Sequence, residues 1–152
     1  MNIWDAIVQV FVGTLGTLGF NILFHIRGKK LLLATLGGTI SWTVFLLAAP
    51  VMPSEPARYF LSAMVITLYS EGMARLEKTP TTTFLVSAAV PLIPGSALYY
   101  TMNYALNQQW GDFAQRALYT LKLAGALAVG IITVTTASRL LRSLTQRLKA
   151  RK

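Results

Sequence analysis

The segment that decides the fold is Pro91-Leu92-Ile93-Pro94-Gly95-Ser96, which lies inside a run without Lys, Arg, Asp or Glu from Thr79 to Gly111. An uncharged run of this length is typical of a membrane-spanning helix. Because proline has no backbone N–H, the two prolines leave the carbonyls of Ser87 and Val90 without their usual helical partners. The sequence therefore predicts a helix that is broken inside a membrane.

Such a break predicts a binding site. Unpaired backbone in a bilayer is tolerated only where protein or water supplies a partner, and broken helices commonly form the central site of transporters. The half-helix that restarts after Ser96 would direct its electropositive N-terminus at that site, which suits a carboxylate. We expect Pro91, Pro94, Gly95 and Ser96 to bind substrate, with Tyr99 facing the same cavity. The alternative is a simple kink, since prolines are common in membrane helices.

The composition indicates an integral membrane protein. The chain has 152 residues, of which 54% are hydrophobic and 12% charged, and its mean hydropathy is positive. The absence of cysteine excludes disulfides and thiolate metal sites, and the single histidine, His25, cannot form a metal cluster alone. No P-loop, cofactor motif or Ser-His-acid set is present, so we expect neither an enzyme nor a cofactor.

The apolar segments predict an all-α fold with five membrane spans. They extend approximately over residues 3–24, 31–52, 57–74, 81–106 and 113–138, and the fourth is the one broken at Pro91 and Pro94. The short connections make neighbouring helices antiparallel. Five is an odd number, and a second five-span unit of inverted topology would complete a transporter built from repeats.

The basic residues predict the orientation. Most of the 14 Lys and Arg residues fall in segments on one side of the spans, whereas only Arg58 and Arg116 fall on the other. By the positive-inside bias, the N-terminus is outside and the C-terminus inside. This distribution argues against nucleic acid as the partner of the positive charge and favours the lipid bilayer. Residues 1–138 are expected to form the transmembrane domain, and residues 139–152 a basic amphipathic tail on the cytoplasmic side.

Three ionisable residues that lie within the predicted spans or directly at their inner boundary are candidates for gating or coupling. Glu71 and Arg75 lie one helical turn apart near the inner end, where they form either a surface pair or a gate. Lys122 lies roughly 8–14 Å below the outer boundary, so it either snorkels outward or needs a carboxylate partner or an anionic substrate. Asp112 and Arg116 have the spacing of an ordinary ion pair.

The first span contains a stripe of small residues. Gly13, Gly16 and Gly19 would allow another helix to approach closely, either within the chain or from a partner subunit. This surface and the basic tail support a rival interpretation, a membrane scaffold or assembly subunit that does not itself transport. A channel is a weaker third possibility.

Several motifs resemble the threonine/serine exporter family. They are Gly19-Phe20 to Phe24 before a basic turn, Glu71-x-x-x-Arg75, Thr79-Pro80, and above all the segment from Pro91 to Tyr99. The chain is similar to the small, all-membrane subunit, equivalent to the C-terminal half of the fused exporters, over about residues 13 to 137. It departs from the usual pattern at His25 and Arg27, where the family often has Asn and Pro.

The resemblance implies secondary export of small carboxylate-bearing metabolites, which are threonine and serine in some members and a dicarboxylate such as succinate in others. It also implies a larger partner subunit with its own membrane half. The expected location is the bacterial cytoplasmic membrane, which the chain would cross several times. Assembly into a higher oligomer is left open.

Overall fold

The computed structural model describes the backbone of residues 3–149, and the side chains of this range except at 142 and 145–149. The described residues form six α-helices and no strand. The helices are α1 (Ile3–Leu23), α2 (Lys29–Leu47), α3 (Glu55–Leu76), α4 (Thr81–Ala89), α5 (Gly95–Leu106) and α6 (Trp110–Lys149), with a short 3-10 turn, Val90–Leu92, after α4. The predicted all-α fold is thus confirmed.

The apolar character of the helices agrees with a membrane protein. By length and composition, α1, α2 and α6 up to Leu141 could each cross a membrane. Helices α4 and α5 meet the same criterion when taken together, with a bend of 60° between them. Helix α3 does not meet it, so the predicted count of five spans stays a prediction.

Helix α3 is less apolar because it lies in the middle of the bundle. It packs against α2, α4 and α6, while α1 packs against α2, and α5 against α6. Its buried face contains Tyr59 and Ile66 but also Ser62, Ser70 and Glu71. A helix that contacts other helices on several sides needs less lipid-facing apolar surface than one at the edge.

Two contacts define the ends of the bundle. Lys29 Nζ and Glu77 Oε1 are 2.9 Å apart and join the start of α2 to the end of α3 at one end of the bundle. The Tyr119 hydroxyl donates a hydrogen bond to Glu55 Oε2, which joins the starts of α3 and α6 at the other. Following the charge-bias prediction, we call the first the inner end and the second the outer end.

Three helices stop in the same way. Helices α1, α3 and α5 are each followed by a residue with positive φ, namely His25, Lys78 and Gln108. The next residue along the chain then donates a backbone hydrogen bond to the carbonyl five residues earlier, at 3.0, 3.0 and 2.9 Å. This Schellman arrangement satisfies carbonyls that would otherwise be unpaired at a helix end, and it produces the short turns that reverse the chain.

Helix α6 is much longer than one membrane crossing. Its 40 residues span about 60 Å, roughly twice the thickness of a hydrocarbon core. The predicted tail therefore continues the last span as helix through Lys149, and residues 150–152 lie outside the described range. That this tail is cytoplasmic stays a prediction.

Candidate functional site

The predicted break lies where the sequence places it. Helix α4 ends at Ala89, and α5 starts at Gly95 with Pro94 as its N-cap. The 60° bend between the two half-helices is far larger than the gentle curvature of an unbroken helix. Ser96 therefore lies in the first turn of α5 and does not cap the helix.

One detail of the break was predicted wrongly. The carbonyls of Ser87 and Val90 are not left without partners, because the chain tightens into a 3-10 turn. The Val90 N–H bonds to the Ser87 carbonyl, and the Ile93 N–H bonds to the Val90 carbonyl at 3.2 Å. The Gly95 N–H donates to the Ile93 carbonyl at 2.7 Å, and the first helical bond of α5 runs from the Leu98 N–H to the Pro94 carbonyl. The open backbone groups at the break are therefore the N–H groups between them, since the first N–H groups of a helix have no intrahelical acceptor.

Two buried apolar side chains hold the break in place. Leu92 is fully buried and Ala97 nearly so, and both belong to the main apolar core with Ile66 and Leu123. Pro91 and Pro94 are half-buried. Burial of these two side chains therefore attaches the turn to the bundle and fixes the direction in which α5 starts.

The predicted binding residues lie on an open face of the chain. Gly95, Ser96 and Tyr99 are exposed, with Tyr99 at 67%. A side chain added at Gly95 would meet no atom within 4 Å. The start of α5 thus faces away from the bundle interior, and this chain alone does not enclose it.

The predicted Glu71–Arg75 pair is present. Arg75 Nη2 and Glu71 Oε2 are 3.1 Å apart, with side-chain exposures of 58% and 8% respectively. The carboxylate is thus buried in the bundle while the guanidinium reaches its surface. This geometry differs from a fully exposed pair, whose contribution is small, and it places a buried acidic group in the inner half of α3.

Lys122 lies on the exposed side of α6. Its neighbour Leu123 is 1% exposed and belongs to the core, and Thr120 is buried against α5, where its hydroxyl lies 3.1 Å from that of Thr101. Among the side chains described, none forms an ion pair with Lys122. The structure therefore does not bring Lys122 into contact with the Glu71–Arg75 pair.

The glycine stripe of α1 mostly does not pack within the chain. Gly16 and Gly19 have no neighbour within 4 Å of an added Cβ, and Gly13 lies 3.7 Å from Trp42. The close helix approaches instead occur at Gly38, against Thr17, and at Gly130. At Gly130 an added Cβ would lie 2.7 Å from both the Ala63 Cβ and the Phe60 carbonyl oxygen.

Polar side chains fill much of the bundle interior, which the sequence analysis did not anticipate. The buried polar residues are Thr17, Asn21, Thr35, Ser41, Ser62, Thr67, Ser70, Glu71, Ser87 and Thr120. Several hydroxyls donate to the carbonyl one turn earlier, as Thr67 does to Ala63 at 2.6 Å. The hydroxyls of Ser41, Ser62 and Ser70 are fully buried and have no hydrogen-bond partner in the described part of the chain. Unpaired buried hydroxyls are destabilising unless water or a ligand satisfies them.

A cluster of polar and aromatic side chains at the outer end was not predicted from the sequence. Glu55 accepts the hydrogen bond from Tyr119, and the Arg116 guanidinium lies 5.5 Å from the Tyr100 ring and 5.4 Å from the Tyr119 ring. Arg58 lies nearby on α3, 4.9 Å from the Phe45 ring. The signal was available: Arg58 and Arg116 are the only basic residues that the charge bias leaves on the outer side. Asp112 was expected to pair with Arg116, but no ion pair joins them within the described residues.

No set of three or more His, Asp or Glu side chains in the described residues could hold a metal ion.

Comparison with known proteins identifies the family. The family profile described as "Threonine/Serine exporter, ThrE" matches residues 9–137, most of the chain. Comparisons with curated proteins and with solved structures find no match. The matched range contains the break, the Glu71–Arg75 pair and Lys122, and the family description is that of an exporter. The chain therefore belongs to the threonine/serine exporter family.

Proposed function

We propose that the chain is the membrane subunit of a secondary exporter of small carboxylate-bearing metabolites. The proposed substrates are threonine and serine, or a dicarboxylate such as succinate. The observation that carries this proposal is the 60° break between α4 and α5 in a chain of this family. Pro91 and Pro94 fix the break. The Gly95 N–H is already bonded to the Ile93 carbonyl at 2.7 Å, so the N–H groups of Ser96 and Ala97 receive the substrate carboxylate at the positive end of α5, and Gly95 leaves room for it. Tyr99, one turn further along, borders the bound substrate.

The open face at the break supports a partner. A carboxylate bound beside Gly95 would be exposed to lipid or water on the side away from the bundle, because no atom of the described residues lies within 4 Å of a Cβ added there. A larger subunit with its own membrane half would cover this face and complete the site. Such an arrangement matches transporters in which the substrate site lies between two repeats.

The buried polar interior supports passage of a polar solute. Ser41 on α2 and Ser62 and Ser70 on α3 have unpaired hydroxyls in neighbouring helices. Water or substrate would satisfy them in a state that opens between the two helices. Glu71, with Arg75 beside it, lies on the same helix towards the inner end and is the candidate gate or coupling group. Lys122, on the exposed side of α6, is the candidate for contact with a partner carboxylate or with the substrate.

The location that follows is the cytoplasmic membrane of a bacterium, with the N-terminus outside and the basic tail inside. Since the sequence contains no ATP-site motif, export would use an ion gradient or energy supplied through a partner.

The decisive experiment measures efflux of labelled threonine, serine and succinate from preloaded cells. The cells express this chain alone, the candidate large subunit alone, or both, and membrane insertion is confirmed for each protein. Efflux only from cells with both proteins is the expected result, and the labelled solute that leaves the cells identifies the substrate class. Efflux in no arm contradicts the proposal.

Absence of efflux would favour the scaffold interpretation, which has one specific observation in its support. Gly16 and Gly19 are open on α1, so this helix presents a small-residue surface that no described part of the chain covers. Co-purification of the large subunit with this chain, but not with a variant carrying Gly16→Leu and Gly19→Leu, would then show an assembly role without transport.

A further inference from the structure

The outer end of the bundle contains a polar cavity that is separate from the break. It has a volume of about 310 Å³ and is open to the outside of the chain, and it is lined by Tyr104, Asp112, Gln115, Arg116 and Tyr119. These residues come from the end of α5 and the start of α6. The other cavities described are lined mainly by apolar residues and lie between α1 and α2, beside the break, or at the inner end next to α4. The outer pocket is therefore the most polar of the described cavities.

The cation in this pocket is held firmly and yet has no anionic partner. The rings of Tyr100 and Tyr119 flank the Arg116 guanidinium at 5.5 and 5.4 Å. Its Nε is buried and makes no hydrogen bond within the described residues. Glu55 on α3 accepts the Tyr119 hydroxyl at Oε2 and forms no ion pair with Arg116 among the described residues. Contact with two aromatic rings fixes the orientation of an arginine, so this guanidinium is preorganised to receive a ligand anion.

The acidic residue of the pocket is equally unpaired. Asp112 lies one helical turn before Arg116, a spacing at which opposite charges normally meet. Neither side chain bonds to the other or to any other described side chain. Two unpaired opposite charges on one wall of a cavity suit a ligand that itself carries both charges. An α-amino acid has a carboxylate and an ammonium on the same carbon, and its ends would reach Arg116 and Asp112 respectively.

We propose that this outer pocket binds a zwitterionic α-amino acid, with its carboxylate on Arg116 and its ammonium on Asp112. The inference rests on the proposed export function only for its biological meaning, namely that an exported solute occupies the pocket as it leaves the protein. The site itself stands on the geometry of α5 and α6. A dicarboxylate binds poorly here, because its second carboxylate would lie beside Asp112.

The test measures binding of labelled serine, and separately of labelled succinate, to the purified full chain in lipid nanodiscs. Asp112→Asn removes the negative charge from an exposed side chain without partners, so folding is not at risk. Asp5→Asn is the matched control, since Asp5 lies in the first turn of α1 just as Asp112 lies in the first turn of α6. We expect Asp112→Asn to weaken serine binding about tenfold and to strengthen succinate binding, whereas Asp5→Asn changes neither.

Arg116→Gln supplies the second arm. It should abolish the binding of both ligands at the outer pocket and leave only any binding at the open break. It also removes the contacts with two tyrosine rings, so Arg116→Lys is tested beside it. Lysine keeps the charge without the planar fork that matches a carboxylate, and serine binding should fall to an intermediate value. Equal serine binding by wild type, Asp112→Asn and Arg116→Gln overturns the proposal.

A lipid headgroup is the other source of the same chemistry. Phosphatidylethanolamine carries a phosphate and an ammonium, so binding is measured in nanodiscs of phosphatidylglycerol with and without added phosphatidylethanolamine. Serine binding in both supports a soluble ligand. Loss of serine binding when phosphatidylethanolamine is added shows that the headgroup fills the pocket and overturns the assignment to a free amino acid.

Failure here is distinguishable from failure of the proposed function. Binding at the outer pocket is measured without any efflux, and export is measured in cells without reference to Asp112. A chain that exports but does not bind serine at this pocket rejects only the outer site. A chain that binds serine here but shows no efflux with its partner rejects only the export proposal.

Discussion

Helices α3 and α5 use polar groups in opposite ways. Helix α3 packs against three neighbours and buries Ser62, Ser70 and Glu71 inside the bundle. Helix α5 packs against α6 and leaves its first turn, including Gly95 and Ser96, on an open face. The polar groups of α3 therefore depend on the fold of this chain, whereas those at the start of α5 depend on whatever covers that face. Substitutions in α3 should mainly affect stability, and substitutions at the start of α5 should mainly affect transport.

The largest effect is expected where α6 touches α3. A leucine at Gly130 cannot fit, because its Cβ would already lie 2.7 Å from Ala63 Cβ and from the Phe60 carbonyl oxygen. We expect Gly130→Leu to destabilise the protein by about 3 kcal/mol or more, at or above the upper end of the usual cost of overpacking, and to reduce the amount of folded protein. Thermal unfolding in detergent, followed by circular dichroism, measures this.

The control lies on the same helix. Gly125→Leu adds the same side chain where no atom lies within 4 Å, and it replaces a poor helix former, so stability should stay equal or rise slightly. Similar melting temperatures for the two variants would show that α6 does not approach α3 closely at Gly130.

The next largest effect is expected at the break, and it should appear in transport without a loss of stability. Gly95→Leu fills the open space above the first turn of α5, where we propose that the carboxylate bonds to backbone N–H groups. Loss of two hydrogen bonds to a charged group corresponds to a decrease in efflux of about a hundredfold. Gly111→Leu is the matched control, since Gly111 is also exposed, also open and also at a helix start.

The two variants are compared by efflux of labelled substrate and by melting temperature. Normal efflux by Gly95→Leu would remove the substrate site from the break. Equal loss in both variants would indicate a general effect of adding apolar bulk at helix starts.

The sequence predicted the backbone of this protein better than the surroundings of its side chains. Hydropathy and the paired prolines located α1, α2, α6 and the break, because lipid requires long apolar segments and proline has one missing donor wherever it occurs. The contact of Glu71 with Arg75 was predictable because residues four positions apart on a helix lie on the same side of it.

Tertiary contacts explain what the sequence did not predict. The Tyr119–Glu55 hydrogen bond joins residues 64 positions apart, and no periodicity in either helix indicates it. The contact of Arg116 with two tyrosines, one of them on another helix, keeps it away from Asp112, so the expected local pair does not form. The direction in which the break faces depends on the burial of Leu92 and Ala97, which only the packed bundle defines.

A smaller effect is expected from the buried carboxylate of α3, which tests whether all polar groups of this helix are structural. Glu71→Gln keeps the shape of the side chain but removes its charge next to Arg75. As the proposed gate or coupling group, it should reduce efflux about tenfold, the effect of one charge-assisted hydrogen bond. Glu77→Gln is the control, because Glu77 also has a basic partner, Lys29 at 2.9 Å, but lies in the connection after α3.

Efflux of both variants is measured at several external pH values. A wild-type profile for Glu71→Gln, with a lowered melting temperature, would assign Glu71 to stability and strengthen the contrast between α3 and α5.

The smallest effect is expected at Lys122. This residue lies on the exposed side of α6, so it belongs neither to the buried polar groups of α3 nor to the open start of α5. Lys122→Met keeps the length of the side chain and removes a charge that is unfavourable in lipid, so the melting temperature should stay equal or rise. If the lysine meets a partner carboxylate or the substrate, efflux should fall by up to about fivefold, the range of an exposed ion pair. Unchanged flux at every substrate concentration would mean that the ammonium group simply snorkels to the membrane surface. In that case the open face at the start of α5, and not the charge on α6, is what a partner subunit would recognise.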